Sequence, residues 1–361
     1  MADASPIRVA VNGFGRIGRS FVRAALQRST ALDAPTLDAP TLDIVAINDV
    51  NDAAMLAYLL EYDTVQHQLT VPIACRDGHL RVGRFNAVLT SQRDPSLLPW
   101  GELDIDVVIE STGHFTIATE ARRHITAGAR RVIISAPATG ADFTICIGVN
   151  HRGFDPSHHI VVSNASCTTN CLAVMAFVLH RRFGIESGFM STVHAYTNDQ
   201  NLLDLPHHGH TRDLRRSRAA AQNIVPSSTG AARAIGQVLP ELEGRLDGIA
   251  FRVPVSCGSI TDLVCTLERP AGRDEVNAAF IEAASDDMLA GVLSVTDVPL
   301  VSSDIVGRHE SCLLSLCDTM VQRNGVKVLG WYDNEWGYAN RLLDVAELVG
   351  SGQRAPVLRS Q

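Results

Sequence analysis

The sequence lacks the features that mark a membrane protein, a secreted protein or a nucleic-acid-binding protein. No apolar run approaches the roughly 18 residues that a membrane-spanning helix needs. Residues 1–7 have neither the positively charged region nor the apolar region of a secretory signal. No long basic run is present and the formal net charge is −8, which argues against nucleic acid as the primary partner. We therefore expect a cytoplasmic protein with no membrane partner.

Cysteine is present, but not as a disulfide framework. The eight cysteines are scattered along 361 residues, mostly in apolar surroundings, which is typical of reduced thiols in a cytoplasmic chain. Hydrophobic residues make up 46% of the chain and charged residues 19%, so a sizeable core can form and whole-chain disorder is excluded. The length predicts two domains.

The first half alternates short apolar runs with helical segments, for instance at 16–28 and 116–127. This alternation is typical of an α/β fold with a Rossmann-type, doubly wound parallel sheet. The predicted strands are Arg8–Val11, Ile44–Ile47, Asp106–Ile109, Arg131–Ile134 and Ile160–Val162.

From about Ser187 the pattern changes to longer extended segments. We predict a second, α+β domain with a mostly antiparallel sheet and helices on one face. The extended segments are Gly188–Tyr196, Gly248–Pro254, Ser259–Glu268 and Ser311–Met320. Residues 334–349 place apolar side chains on one face at helical spacing, which predicts a final helix.

A glycine-rich turn follows the first predicted strand. Gly13, Gly15 and Gly18 form a Gly-x-Gly-x-x-Gly pattern between a strand and a helix. The glycines permit a tight turn, close approach of the backbone to a pyrophosphate and close helix packing, while the helix N-terminus supplies free N–H groups. This context predicts a dinucleotide-binding turn; a turn that serves packing alone is the alternative.

An acidic residue is expected at the end of the second strand of such a unit. Asp49 stands there and would accept hydrogen bonds from the adenosine ribose and repel a 2′-phosphate, favouring NAD over NADP; Asp52 is a weaker candidate. Asp49 lies 31 residues beyond Gly18, rather than about 20. Most of the excess comes from residues 33–42, which repeat Asp-Ala-Pro-Thr-Leu in tandem and predict an exposed loop.

Cys167 is the candidate nucleophile. The segment Ser163–Cys171 ends an apolar strand and begins a helix, so Cys167 would lie in the first turn. Free N–H groups and the helix dipole lower a thiol pKa there. Cys171, one turn further along, is expected to pack in the core. No histidine or carboxylate accompanies the two cysteines locally, and we expect no metal site.

A thiolate nucleophile requires a general base, and the sequence offers thirteen histidines. His194 lies in a predicted strand with polar neighbours. His207, His208 and His210 form a cluster in a predicted loop, where solvated side chains or a weak metal site are the two interpretations. Spacing alone does not select His194.

The chain resembles the phosphorylating glyceraldehyde-3-phosphate dehydrogenases from Arg8 to about Gly350. Six segments carry the resemblance in order, and the cysteine segment among them is highly specific. The segments are Asn12–Arg19, Ser163–Cys171, His194–Asp199, Ala220–Ile224, Ser228–Ala232 and Trp331–Gly337.

This resemblance implies a reaction and the residues that carry it out. Cys167 would attack the aldehyde of glyceraldehyde 3-phosphate while His194 takes its proton; oxidation with NAD would leave a thioester, which inorganic phosphate would attack to release an acyl phosphate. The implied cofactor-binding residues are Gly13, Gly15, Arg16, Ile17, Gly18, Asp49, Arg93, Ser111, Thr112, Ser135 and Asn334, the last of which would fix the carboxamide. The implied residues for the substrate phosphate are Thr197 and Arg252 with Asp199 close by, and those for the attacking phosphate are Ser166, Thr168, Arg218, Thr229 and Gly230, with Arg216 a possible contributor. A solvated basic face is the other interpretation of Arg215, Arg216 and Arg218.

The resemblance also implies an organisation. Residues 1–166 would form the NAD-binding domain, to which a C-terminal helix within 334–361 returns, and residues 167–333 the catalytic domain. The family is usually a homotetramer in which the long loop after His194 borders a neighbour's cofactor. Leu205-Pro206 in that loop, together with Asp49, resembles the NAD-dependent members.

Two segments depart from the family pattern. Residues 207–211 add length to the loop, which we expect to affect the subunit interface and cofactor affinity. Residues 255–258 read Val-Ser-Cys-Gly where the family usually has Thr-Pro-Asn-Val, which we expect to affect the strand that carries Arg252. Neither departure removes a catalytic group.

Two alternatives stay open. Erythrose-4-phosphate dehydrogenase shares the fold, the cysteine and the histidine but releases a free acid; its members depart from His194–Asp199 and Ser228–Ala232, which are intact here. A low-activity, inhibitor-resistant or regulatory duplicate is the second alternative, suggested by the tandem repeat and the altered segments. Aspartate-semialdehyde dehydrogenase uses similar thioester chemistry but does not carry this cysteine segment.

Overall fold

The computed structural model describes residues 6–31, 42–206 and 213–351. They separate into two compact units. The first unit takes the described chain up to Ile145, then His151–Ala165 and the chain from Ala339 onward. The second takes Cys146–Asn150 and Ser166–Tyr338.

Some of the segments singled out above lie outside the described residues. These are the tandem repeat at 33–42, except for Leu42, and the loop that contains His207, His208 and His210. Within the described ranges, none of the helices is both long enough and apolar enough to cross a membrane.

The first unit is built on a nine-stranded sheet among its described residues. The strands are β1 (Ile7–Asn12), β2 (Leu42–Asn48), β3 (Ile73–Arg76), β4 (His79–Val82), β5 (Phe85–Thr90), β6 (Val107–Glu110), β7 (Arg131–Ile134), β8 (Phe143–Thr144) and β9 (Val161–Ser163), and their order is β3-β4-β5-β2-β1-β6-β7-β9-β8. All neighbours from β5 to β8 are parallel, and β3 and β4 add an antiparallel edge. The strand order reverses between β1 and β6, where ligands bind in open α/β sheets. The predicted Rossmann-type fold is confirmed.

The helices of this unit follow the sequence pattern with one difference. They are α1 (Arg16–Ala31), α2 (Ala53–Glu61), α3 (Ala118–Ala121) and α4 (Arg123–Thr126). The predicted helix at 116–127 is two short helices, because Arg122 has ψ of −12° and breaks the α-helical ladder. In β1, Val9, Ala10 and Val11 are fully buried, as expected for a central strand that is covered on both faces.

The second unit is built on a seven-stranded sheet among its described residues. Its strands are β10 (Ile185–Ala195), β11 (Val225–Ser228), β12 (Leu246–Val253), β13 (Ser259–Leu267), β14 (Leu293–Thr296), β15 (Cys312–Gln322) and β16 (Gly325–Tyr332), in the order β11-β12-β10-β13-β16-β15-β14; its helices are α5 (Cys167–Phe183), α6 (Ala231–Val238) and α7 (Arg273–Ala284). Only the pairs β10–β12 and β14–β15 of this sheet are parallel, so the predicted mostly antiparallel sheet is confirmed. Helix α5 packs against β10, β13, β15 and β16.

The last described helix, α8 (Trp336–Ser351), begins in the second unit and runs into the first. At its start, the Asp333 carboxylate accepts hydrogen bonds from the N–H groups of Glu335 and Trp336. Further along, Asp344 pairs with Arg28 of α1 at 2.7 Å. Near its end, a Cβ added to Gly350 would lie 2.5 Å from Cγ2 of Ile7. Close packing on α1 and β1 therefore makes α8 a structural part of the first unit.

Candidate active site

A tight turn places Cys167 at the start of α5. Ala165 has a positive φ of 52°, which a residue with a side chain rarely adopts. Ser166 is the N-cap, and its hydroxyl accepts a hydrogen bond from the N–H of Thr169 at 3.0 Å. Cys167 follows as the first helical residue and is half-buried. The capping bond orients the first turn around the thiol.

His194 lies beside that thiol, with its ring held in one tautomer. The Nε2 atom is 3.5 Å from Sγ of Cys167. The Nδ1 atom is 2.7 Å from the carbonyl oxygen of Ala195, which can only accept, so Nδ1 carries the hydrogen. In the neutral ring, Nε2 therefore offers a lone pair toward the Cys167 thiol. This is the arrangement that a general base requires.

Arg252 places a positive charge next to the pair. Strands β10 and β12 are parallel with His194 opposite Arg252, so the register itself brings the guanidinium to the imidazole. Nη1 of Arg252 donates to Oγ1 of Thr197 at 2.8 Å and to the carbonyl oxygen of Ala195 at 3.3 Å. The sequence of residues 255–258 was expected to affect the strand that carries Arg252. Arg252 nevertheless contacts Thr197.

Burial governs the ionisation of both members of the pair. It raises the pKa of Cys167 to about 11, although the Arg252 charge and hydrogen bonds from Thr168 act in the opposite direction. Burial and then the Arg252 charge lower the pKa of His194 to about 3. The expectation of a lowered thiol pKa at the helix N-terminus is wrong for the free protein, because desolvation outweighs the favourable N–H groups. Burial thus disfavours the thiolate of Cys167 and the imidazolium of His194.

A buried tyrosine connects the two elements that carry the pair. The Tyr332 hydroxyl is 2.9 Å from Oγ1 of Thr168 on α5 and 2.8 Å from Oγ1 of Thr192 on β10. Its ring packs edge-on against the His194 ring, with the centroids 5.9 Å apart. Tyr332 was not predicted as a site residue, although it lies in the segment Trp331–Gly337 that carries the family resemblance. The Thr168 hydroxyl, which was expected to contact phosphate, is engaged by this tyrosine.

Polar side chains converge around Thr197 and Asp199. Asp199 accepts hydrogen bonds from the Thr197 hydroxyl and from Arg216. Burial raises the pKa of Asp199, but Arg252, Thr197 and Arg216 together outweigh it and lower that pKa. Arg216 also contacts the carbonyl oxygen of Ser228 at 3.3 Å. Two guanidinium groups and a hydroxyl are suited to a phosphate.

The remaining residues expected to bind the attacking phosphate fall into two groups. Thr229 and Gly230 lead into α6, with the Thr229 hydroxyl accepting from the N–H of Ala231 at 3.2 Å. Arg218 instead pairs with Asp204 at 2.6 Å, and its side chain is 62% exposed. The structure thus brings Arg216 to Asp199 and ties Arg218 to a different carboxylate.

The glycine turn in the first unit has the geometry of a dinucleotide cradle. Gly13 has φ of 91°, and a Cβ there would lie 2.6 Å from the amide nitrogen of Thr112. A Cβ on Gly18 would overlap the carbonyl oxygen of Gly13. A Cβ on Gly15 would meet nothing within 4 Å. Two glycines are therefore required by packing, and the third borders open space.

Two carboxylates brace this turn. Asp49 accepts a hydrogen bond from the N–H of Phe14 at 2.7 Å through Oδ2. Glu110, at the end of β6, accepts from the N–H of Thr112 at 2.9 Å and also from its hydroxyl. The Ser111 hydroxyl donates to the carbonyl oxygen of Gly13 at 2.7 Å. The expected cofactor residues Asp49, Ser111 and Thr112 thus surround the glycine turn.

The other expected cofactor residues have more varied surroundings. Arg16 pairs with Asp63 at 2.5 Å, and Arg93 is exposed. Ile17 follows in α1, and Ser135 lies just after β7. Asp52, the weaker candidate for the ribose, caps α2 by accepting from the N–H of Met55.

Asn334 lies in the second unit and is 4% exposed. Its Oδ1 accepts a hydrogen bond from the Ser259 hydroxyl at 2.9 Å. Among residues 6–31, 42–206 and 213–351, no group of three or more histidine, cysteine, aspartate or glutamate side chains is placed to hold a metal ion.

The fold and these side chains define a class, the dinucleotide-dependent dehydrogenases that pair a cysteine with a histidine. Comparison with known families is more specific. The family model "Glyceraldehyde 3-phosphate dehydrogenase, NAD binding domain" matches residues 7–118, and the model of the C-terminal domain of the same family matches residues 166–334. The chain belongs to the glyceraldehyde-3-phosphate dehydrogenase family.

Individual relatives agree with this assignment over nearly the whole chain. "Glyceraldehyde-3-phosphate dehydrogenase 2" of Streptomyces arenae is 53% identical over 345 residues, which cover 96% of this chain and 99% of the relative. Glyceraldehyde-3-phosphate dehydrogenase of Streptomyces coelicolor is 52% identical over 346 residues, with 96% and 99% covered. The Mycobacterium bovis protein of that name is 51% identical over 346 residues, with 95% and 98% covered.

Proposed function

We propose that this protein is an NAD-dependent, phosphorylating glyceraldehyde-3-phosphate dehydrogenase of glycolysis and gluconeogenesis. It converts D-glyceraldehyde 3-phosphate, NAD+ and phosphate to 1,3-bisphosphoglycerate and NADH. The observation that carries the proposal is the 3.5 Å contact between Sγ of Cys167 and Nε2 of His194, with the ring in the tautomer of a base. The family of the chain supports the choice of substrate.

The chemistry of the pair starts from a neutral thiol. Sγ of Cys167 bonds to the aldehyde carbon as its proton passes to Nε2 of His194, and that proton then neutralises the alkoxide of the hemithioacetal. Oxidation removes the hydroxyl proton to Nε2 and leaves a thioester. A phosphate oxygen then attacks the thioester carbon, and the C–S bond breaks to return the thiol. Transfer of the proton within the site lets a thiol with a raised pKa act as a nucleophile.

The cofactor fits the first unit. The open space at Gly15 and the N-terminus of α1 would hold a pyrophosphate. Asp49 would hold the adenosine ribose, and Asn334 would hold the nicotinamide carboxamide. When bound, NAD supplies the acceptor for the hydride that the oxidation releases. We assign NAD binding to residues 1–166 with the final helix, and catalysis to residues 167–333.

The phosphate of the substrate and the attacking inorganic phosphate each require their own set of binding residues. Arg252 and Thr197, with Asp199 close by, would hold the phosphate of the substrate, since Arg252 donates to Thr197, Thr197 donates to Asp199, and the Arg252 charge lowers the pKa of Asp199. Arg216, Thr229, Gly230 and the start of α5 would hold the attacking phosphate. Arg218 would join them only by leaving Asp204.

Neither alternative is favoured. Both family models and the similar proteins carry the name glyceraldehyde-3-phosphate dehydrogenase, rather than that of an erythrose-4-phosphate enzyme. The described site has every catalytic group that the main proposal needs, which disfavours a copy with low activity.

A homotetramer in the cytoplasm completes the proposal. In the single chain, Leu202 is 79% exposed and Phe189 is 74% exposed, and second copies of the chain would cover such large apolar side chains. The molar mass from light scattering tests the assembly.

The deciding experiment follows absorbance at 340 nm with glyceraldehyde 3-phosphate and NAD+, with and without inorganic phosphate. Fast NADH formation that requires phosphate is the expected result. Formation without phosphate would point to an acid-forming enzyme, and NAD+ binding without turnover would point to a regulatory copy.

A further inference from the structure

A hydrogen-bonded relay connects the strand of the candidate base to Asn334. The N–H of Ala195 donates to Oγ of Ser259 at 3.1 Å, and the Ser259 hydroxyl is 2.9 Å from Oδ1 of Asn334. Ala195 and Ser259 are fully buried, and Asn334 is nearly so. Bulk water therefore does not compete for these bonds.

The Ser259 hydroxyl donates to Asn334. Its oxygen accepts from the N–H of Ala195, and its single hydrogen needs an acceptor in this buried place, which among the described residues is Oδ1 of Asn334. A free asparagine amide can turn over and exchange its oxygen for its nitrogen. With Oδ1 occupied by Ser259, the Nδ2 amino group is fixed as the outward donor. Among the described residues, that amino group has no hydrogen-bond partner.

The backbone that carries Asn334 is also held in place. Ser259 opens β13 opposite Tyr332 of β16, two residues before Asn334. Asp333 accepts from the Cys257 thiol at 3.1 Å and from the N–H of Gly307 at 2.8 Å. Cys257 belongs to the segment 255–258 that departs from the family pattern. The segment 257–259 thus fixes both the main chain and the side chain at Asn334.

We propose that Ser259 is a positioning residue that selects the nicotinamide carboxamide, by holding the Asn334 amide with its amino group toward the carboxamide oxygen. The inference rests on the proposed function, because it requires NAD as the ligand. Without the Ser259 hydroxyl, the amide of Asn334 is free to present its oxygen instead, and a carbonyl oxygen repels the carboxamide oxygen.

The test compares two ligands by isothermal titration calorimetry on the full chain. NAD+ carries the carboxamide, whereas ADP-ribose lacks the nicotinamide altogether. Ser259→Ala is expected to raise the Kd of NAD+ by about 3- to 10-fold and to leave the Kd of ADP-ribose unchanged, since one oriented hydrogen bond is lost. Ser259→Cys keeps the shape with a weaker donor and is expected to give a smaller loss of the same selectivity.

Thr261 provides a matched control on the same strand. It is fully buried like Ser259, but within the described residues its hydroxyl has no hydrogen-bond partner. Thr261→Val removes that hydroxyl and is expected to leave both affinities unchanged. In the background of Asn334→Ala, the effect of Ser259→Ala on the Kd of NAD+ should disappear, because Ser259 acts through that amide.

The possible failures are distinguishable. Equal weakening of NAD+ and ADP-ribose by Ser259→Ala, or an effect that persists in Asn334→Ala, would make Ser259 merely structural and overturn the inference alone. If the wild-type protein bound ADP-ribose and NAD+ with the same Kd, the nicotinamide would add no affinity. That result would overturn the proposed cofactor and this inference with it.

Discussion

Arg252 and His194 lie opposite each other on adjacent parallel strands, with Nη1 of Arg252 3.3 Å from Nδ1 of His194. Both nitrogens carry hydrogen, so this contact is a placement of charge rather than a hydrogen bond. The same charge lowers the pKa of the Cys167 thiol against the effect of burial. The Arg252 guanidinium therefore lowers the pKa values of Cys167 and His194, in addition to its proposed contact with the substrate.

Arg252→Gln is expected to raise the pKa of Cys167, because removal of a nearby positive charge disfavours the thiolate. At a pH below the pKa of the thiol, each rise of about one unit in that pKa lowers the thiolate fraction about tenfold. The rate of iodoacetamide alkylation at about pH 8 should fall accordingly. Arg252→Lys keeps a positive charge and should retain most of the rate; equal rates in wild type and Arg252→Gln would exclude the charge as the cause.

Gly15→Ala and Gly18→Ala should separate ligand binding from folding. The Cβ of Gly15→Ala enters open space, so stability should hold while the Kd of NAD rises about tenfold or more, since the methyl group occupies the approach of the pyrophosphate. The Cβ of Gly18→Ala overlaps the backbone at Gly13 and should cost about 1–3 kcal/mol of unfolding free energy. Thermal melts and calorimetry measure both; normal NAD binding by Gly15→Ala would contradict the cradle.

Asp49→Ala should relax the preference for NAD over NADP by about tenfold, because the carboxylate that repels a 2′-phosphate is gone. The measurement is the ratio of kcat/KM for the two cofactors. Asp52→Ala is the matched control: it removes the cap of α2, which costs about 0.5–2 kcal/mol of stability, without changing that ratio. A change in the ratio for Asp52→Ala alone would transfer the role to Asp52.

Cys167→Ser should lower phosphate-dependent turnover roughly a thousandfold or more, because a hydroxyl is a far weaker nucleophile beside a neutral imidazole. NAD binding should survive. Cys317 is exposed, so Cys317→Ser provides a control that leaves turnover unchanged. Mass spectrometry of the acylated protein identifies the modified residue; an acyl group on Cys317 would refute the assignment to Cys167.

The sequence predicted the central elements because their pattern depends on local residues. Strands such as β1 are continuously apolar, and the glycine turn is recognisable by its spacing together with its place between a predicted strand and a predicted helix. The edge strand β3 was not predicted, because its four residues are partly exposed throughout and carry no such contrast. The break at Arg122 depends on one backbone angle and has no signal in the sequence.

Site residues that lie in a sequence motif could be predicted. Site contacts that arise from strand pairing could not. Cys167 follows from a strand that ends and a helix that begins. The contrast between Arg216 and Arg218, two residues apart, depends on the distant carboxylates Asp199 and Asp204. The bonds of Ser259 and Tyr332 likewise arise from the register of β13 and β16, which no local pattern reveals.

The route of α8 has a consequence for biosynthesis. The ribosome makes the first unit's sheet early, but the helix that covers Ile7 and pairs with Arg28 is made only at 339–351. The described residues of the second unit are therefore synthesised before the first unit can close. A nascent chain would expose apolar surface of its earliest strands until translation is nearly finished, and chaperones that bind such surface would have most of the synthesis time in which to act.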